Sequence, residues 1–391
     1  MLDLILKPGR ERVLLQRHPW VLSGAVGEVQ SPVGPRPGEW ARVLSSRGEV
    51  LGYGHYSPHS SLRVRMLCFG TQPPGEDFLA ARIGSALERR EGDPLLGETD
   101  AVRLVNAEGD GLPGLVVDRY ADVLAVQITS AGMDLRRDEI AAALRAATGA
   151  HRAYERSDGR AARREGIAAR DAVMWGGMPE ASISIRERDR RFDVDVVHGQ
   201  KTGFYLDQRD ARDLVAQLAA DRRVLDLFSY TGGFAVAAAR GGAASVTLVD
   251  SSGPAVARAE AHLAANAPAC PARVHRADSF EFVRSCDEQY DLLLVDPPPL
   301  ARRASDLVRA GRAYKDVMRH ALLRAAPGAL ALVFACSHHV TPELFRKLVF
   351  AASLDAGRSV HVLRSLGAPA DHPVSIDHPE GHYLTGLLLR A

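Results

Sequence analysis

Residues 224–250 read VLDLFSYTGGFAVAAARGGAASVTLVD. A short, almost continuous apolar run stops at paired glycines, Gly232 and Gly233, and an alanine-rich helical stretch follows. Ser245–Asp250 is then a second apolar run. Such runs suit strands covered on both faces, as in a parallel sheet, more than the alternation of a half-solvated one. YDLLLVD at 290–296 and ALALVFAC at 329–336 repeat the pattern, and a helical stretch at 253–267 lies upstream of both. Strands alternating with helices from about 191 to the end predict an α/β, doubly wound, Rossmann-like domain.

In that architecture ligands bind at the carboxyl ends of the strands. Paired glycines let backbone come close to a ligand at a helix start. The turn is not GxGxxG, which argues against a dinucleotide pyrophosphate. Asp250 closes the second strand, where a carboxylate can accept both hydroxyls of a ribose. Ala277-Asp278-Ser279 offers a carboxylate to an adenine amino group, and Asp296-Pro297-Pro298 closes the fourth strand. A single strand-end aspartate is as readily a helix N-cap. All these features in order describe an S-adenosylmethionine (SAM) site. The residues expected to hold that cofactor are Phe228, Ser229, Tyr230, Thr231, Gly232, Gly233, Asp250, Ser251, Asp278, Ser279, Asp296 and Pro297.

Upstream, residues 76–190 carry a helix (DFLAARIGSALERR), strands (GLPGLVVDRY, DVLAVQIT), a second helix (RRDEIAAALRAAT) and a strand pair across an RDR turn. That order predicts a central α+β domain. Residues 1–72 alternate apolar and polar in short runs broken by Pro/Gly clusters, which predicts a small β-rich domain. Basic residues recur there, Lys7, Arg10, Arg12 and Arg17 among them. Each is by default a solvated surface residue.

The whole chain of 391 residues has room for two or three domains at about 150 residues each. It is 46% hydrophobic and 25% charged, with a net charge of +1, so a nucleic-acid partner would be met by local basic patches. No apolar stretch reaches the roughly 18 residues of a membrane span, and the N-terminus lacks the apolar core of a signal peptide. The expectation is no membrane partner. Four scattered cysteines without a CxxC pair predict neither a disulfide framework nor a zinc knuckle, and point to a reducing cytoplasm.

The chain resembles the bacterial 23S ribosomal RNA cytosine-C5 methyltransferases. The resemblance rests on KPGRERVLLQRHPWV (7–21), NAEGDGLPGLVVDRY (106–120), GQKTGFYLDQRDAR (199–212), DLFSYTGGFAV, VDPPPLARR, AYKDVMRHAL, FACS and ADHPVSIDHPEGHYLTG (370–386). It implies a PUA RNA-binding domain, a central α+β domain and a C-terminal class I methyltransferase that uses SAM. The implied partner is 23S rRNA or a large-subunit precursor, with a homodimer left open as the assembly. Family members usually carry a lysine after D-P-P; here it is Pro299, and Arg302 and Arg303 are the nearest cations.

The resemblance to FACS assigns Cys336 as a nucleophile, where composition alone would leave it a small buried thiol. Cytosine C5 is a poor nucleophile until a thiolate adds to C6, which is covalent catalysis. In this fold Cys336 and Asp296 close neighbouring strands about 5 Å apart, so Asp296 is expected at the N3/N4 edge of the base, as the second catalytic residue. His338 and His339 make a poor metal site, because adjacent side chains on an extended chain point apart, and no metal is expected. Lys7, Arg10, Arg302, Arg303, Arg312 and Lys315 are the expected RNA contacts, with a solvated face as the plain alternative. Two rival functions are guanine-N7 methylation by the same architecture and a non-catalytic RNA-binding assembly factor.

Overall fold

The apolar runs form one sheet because each buries both faces. In a computed structural model, which describes every residue except Asp158 and Arg302, seven strands build it. They are β1 (Arg223–Leu227), β2 (Ser245–Asp250), β3 (Ala272–Arg276), β4 (Tyr290–Val295), β5 (Ala325–Cys336), β6 (His361–Leu366) and β7 (Leu384–Arg390). Their order across the sheet is β3-β2-β1-β4-β5-β7-β6. β1 to β5 pair in parallel. The parallel pattern ends at β7, which runs antiparallel to both β5 and β6. The segment between β6 and β7 holds no α-helix, and antiparallel neighbours need no helical crossover.

The helices are α1 (Arg209–Leu218), α2 (Gly233–Arg240), α3 (Gly253–Asn266), α4 (Ser279–Ser285), α5 (Leu307–Leu323) and α6 (Pro342–Asp355). Their starts follow local chemistry. Ser252 and Thr341 accept backbone N–H bonds at the starts of α3 and α6, each with proline in the first turn. Leu225, Leu227, Val249, Leu293, Val295 and Val333 pack with Tyr314, Val317 and Met318 of α5 in one buried cluster. Burying an aliphatic side chain of this size contributes about 1.5–3 kcal/mol, so this core fixes where the strand ends lie.

The chain divides into two compact units, 1–185 with 194–206 and 370–381, and 186–193 with 207–369 and 382–391. The second holds the seven-stranded sheet. The first holds a six-stranded sheet within residues 2–69, whose Leu2, Leu4 and Leu6 point inward at the strand period of two. It also holds a five-stranded sheet built from Ala101–Asn106, Leu115–Tyr120, Val123–Ile128, Arg152–Ser157 and Arg170–Trp175. That sheet has its own core with the helices Phe78–Glu88 and Arg137–Thr148. Arg170–Trp175 is an edge strand exposed over most of its length, although residues 172–175 are all apolar.

Residues 370–381 lie between β6 and β7 in sequence yet belong to the first unit. Asp371 accepts from the backbone N–H of Arg103 at 3.0 Å, Arg90 donates to the Asp371 carbonyl at 2.9 Å, and His18 meets Glu380 at 3.1 Å. No helix among the described residues is long and apolar enough to cross a membrane.

Candidate active site

The loop from β1 to α2 carries backbone strain. Phe228, Tyr230 and Gly232 lie at φ of 62°, 49° and 76°. The left-handed region costs a non-glycine residue about 1–3 kcal/mol. At Gly232 an added Cβ would also be crowded, 3.0 Å from Cβ of Ala259. Four hydrogen bonds hold this path. Phe228 N–H donates to Ser279 Oγ at 3.1 Å, Ser229 N–H to the Val249 carbonyl at 3.1 Å, Tyr230 N–H to Asp250 Oδ2 at 2.8 Å, and Gly232 N–H to the Ser229 carbonyl at 2.8 Å. His262 adds a fifth from α3. Its Nε2 accepts from Asp193 N–H at 2.8 Å, so Nδ1 carries the proton and donates to the Thr231 carbonyl at 2.8 Å.

Inside this cradle the hydroxyls of Ser229 and Thr231 are buried and have no hydrogen-bond partner among the described residues. Buried polar atoms are seldom left so, and two such hydroxyls side by side can meet the polar atoms of a ligand. Asp250 also accepts from Ser252 N–H at 2.8 Å through Oδ1, so both carboxylate oxygens are oriented. Asp278 does act as the cap of α4, taking Phe280 and Glu281 N–H at 2.8 and 3.1 Å. Both bonds use Oδ1, and Oδ2 has no hydrogen-bond partner among the described residues.

Sequence patterning singled out neither Asp226 nor Gln208. Asp226 lies on β1, 1% exposed, and accepts from Ala235 N–H at 3.1 Å. Burial pushes its carboxyl well above the ordinary range, and the charges of Asp296 and Asp250 push the same way. Gln208, just before α1, donates from Nε2 to Asp296 Oδ2 at 2.9 Å. Beside it Asp207 Oδ2 accepts from Tyr383 O–H at 2.8 Å.

Cys336 closes β5 and Asp296 follows β4, and the register pairs Val295 with Val333. Tyr314 of α5, fully buried, lies close enough to feel both. Burial raises its phenol far above the ordinary value, and Cys336 and Asp296 add to that rise. Ser337 donates to the Ala301 carbonyl at 2.6 Å, which ties the end of β5 to the segment after Asp296-Pro297-Pro298. His338 packs its ring 5.9 Å from that of Tyr383. No group of His, Cys, Asp and Glu that could hold a metal exists among the described residues.

Of the expected RNA contacts, Arg303 and Arg312 are exposed, while Lys315 pairs with Asp355 at 2.7 Å. Arg312 and Lys315 line an open hollow with Arg319. Lys7 and Arg10 are exposed in the first unit, and Lys7 donates to the Gly24 carbonyl at 3.2 Å. Arg302 lies outside the described residues.

The donor set fits SAM. The unpartnered hydroxyls of Ser229 and Thr231 suit its carboxylate, Asp250 its ribose hydroxyls and Asp278 its adenine amino group. Residues 110–390 match the family model for S-adenosylmethionine-dependent methyltransferases, and residues 4–69 match a PUA-like domain. Among curated proteins, ribosomal RNA large subunit methyltransferase I of Tolumonas auensis is 39% identical, covering 99% of this chain and 98% of that protein. The protein of the same name from Shewanella denitrificans is 40% identical, covering 98% of each. A solved SAM-dependent methyltransferase from Streptococcus mutans shares the fold over 100% of both chains, with a TM-score of 0.83 at 23% identity. A second methyltransferase structure, solved with SAH, gives 0.85 at 23% identity, again over 100% of both chains. The cradle, its strand-end carboxylates and these full-length likenesses place the chain in the S-adenosylmethionine-dependent methyltransferase family, with the ribosomal RNA large subunit methyltransferases I as its relatives.

Proposed function

We propose that the protein methylates C5 of a cytosine in large-subunit ribosomal RNA, with Cys336 as the covalent nucleophile. The observation that carries this reading is the thiol at the end of β5, one strand from Asp296. The ribosomal substrate is suggested by the names of the relatives and by the PUA-like domain.

The target base must leave any stack to reach the strand ends. The Cys336 thiolate adds to C6, and the electron pair of the C5=C6 bond moves to C5. When bound, SAM supplies the electrophilic methyl group that C5 takes. The C5 proton then leaves, with Asp296 as the carboxylate at hand, and its bonding pair restores C5=C6 while the C–S pair returns to sulfur. Asp296 also accepts from the N3/N4 edge, which holds the ring during both steps. The Asp296-Pro297-Pro298 loop has no second thiol, so release depends on this carboxylate or on water. Lys7, Arg10, Arg303 and Arg312 would meet RNA phosphates, and Lys315 would do so only by leaving Asp355.

Cys336→Ala tests the chemistry. Nucleoside analysis of rRNA from cells lacking the protein, treated with SAM and either form, should show 5-methylcytidine with wild type. The variant should be at least about 1,000-fold slower, with cofactor affinity within twofold. An active variant that yields 7-methylguanosine would replace the covalent mechanism with direct methylation of guanine N7.

A further inference from the structure

Gln208 belongs to GQKTGFYLDQRDAR (199–212), a stretch whose chemistry the cofactor cradle does not use. Its side chain is 3% exposed, and its amide orientation is not arbitrary. A carboxylate accepts but cannot donate, so the 2.9 Å contact with Asp296 Oδ2 must be made by Nε2. Oε1 is thereby fixed as an acceptor, and it is buried with no hydrogen-bond partner among the described residues.

Bond lengths put Oε1 about 2.2 Å from Nε2, hence roughly 4–5 Å from Asp296 Oδ2. Two acceptors at that spacing match the two N–H bonds of a planar amino group, each at about 2.9 Å. We infer that Gln208 and Asp296 together recognise an exocyclic amino group on the target base, with Gln208 as a specificity-determining residue. The inference rests on the reading that Asp296 faces that base. A uracil would turn a carbonyl oxygen toward two acceptors, and both would repel it.

The test uses intact protein, Gln208→Leu and Gln208→Glu, with rRNA transcripts carrying cytidine or uridine at the position wild type modifies. Gln208→Leu should lower kcat/KM on cytidine about 10- to 100-fold. It should also shrink the cytidine-to-uridine ratio about tenfold, while SAM affinity by calorimetry stays within twofold and so reports an intact fold. Gln208→Glu sets two carboxylates face to face, which retain a shared proton more readily as pH falls. Its activity should rise toward acid relative to wild type, a change that a purely structural role would not produce. Lost SAM affinity with an unmoved ratio would overturn the inference by assigning Gln208 to the cofactor, and so would variants indistinguishable from wild type. A wild-type product that is not methylated cytosine would overturn the reading of the site as well, which separates the two failures.

Discussion

Tyr230 donates its backbone N–H to Asp250 Oδ2 at 2.8 Å, so the strained turn and the carboxylate that ends β2 are one structure. Because Asp250 Oδ1 takes Ser252 N–H, both oxygens are needed as acceptors. Asparagine has one acceptor oxygen and would set its NH2 against one of those N–H groups. Asp250→Asn should therefore cost about 1–3 kcal/mol of stability from the unsatisfied donor, and lower SAM affinity at least tenfold. Urea unfolding and calorimetry read the two losses separately, and unchanged stability would show that the turn does not depend on the carboxylate.

Asp226 is a buried carboxyl whose charged form the fold disfavours. Its folded carboxyl titrates well above its unfolded value, chiefly through burial. The stability it contributes is complete below the unfolded value near 4, and is lost as pH rises through the folded one. Asp226→Asn mimics the protonated acid. The cofactor-free variant should melt above wild type at pH 8, and the gap should close toward pH 4. SAM, which carries a cationic sulfonium, should bind the variant less tightly. A gap that is constant across pH would mean Asp226 titrates normally.

Much of the second unit was legible because its signals are local. Apolar runs marked β1, β2, β4 and β5, and the aspartates at their ends stand where any strand-end ligand must be met. Gln208 and Tyr314 were not legible as site residues. Gln208 meets Asp296 across 88 residues of chain, and Tyr314 reads in sequence as one more buried position on α5. Asp278 shows both outcomes at once, since the same carboxylate caps α4 and keeps an oxygen for a ligand. The reversed direction of β7 leaves no trace in its composition, because a buried strand is apolar whichever way it runs.

The exposed arginines and Lys315 should separate in their response to salt. Arg312 is exposed, whereas the ammonium of Lys315 already has Asp355 at 2.7 Å. If RNA phosphates dock there, Arg312→Ala or Arg303→Ala should weaken RNA binding and reduce the salt slope by about one. Lys315→Ala should do less, since its charge is already met. Filter binding across a salt series decides this, and equal slopes for all three variants and wild type would mean the face stays solvated.

Glu187 is a buried acid of the second unit. It is 1% exposed and accepts from Arg212 Nε at 2.8 Å, with Arg190 at 3.2 Å and Arg209 at 3.8 Å. Burial alone would raise its carboxyl, but Arg212, Arg190 and Arg209 outweigh that and hold it below the ordinary value. Removing the charge takes a counter-ion from three buried guanidinium groups, of which Arg190 keeps Asp213, so Glu187→Gln should cost about 3–5 kcal/mol in urea unfolding at pH 7. Paired replacement of Glu187 and Arg212 by apolar residues should cost less than either change alone. Because the folded value is depressed, the stability Glu187 contributes is present above about pH 4.3 and is lost as pH falls through the folded value. Wild type should lose stability steeply below pH 4, while the Gln variant, already weakened, should show a flatter acid limb. Parallel acid limbs for the two proteins would show that Glu187 is not the group that titrates.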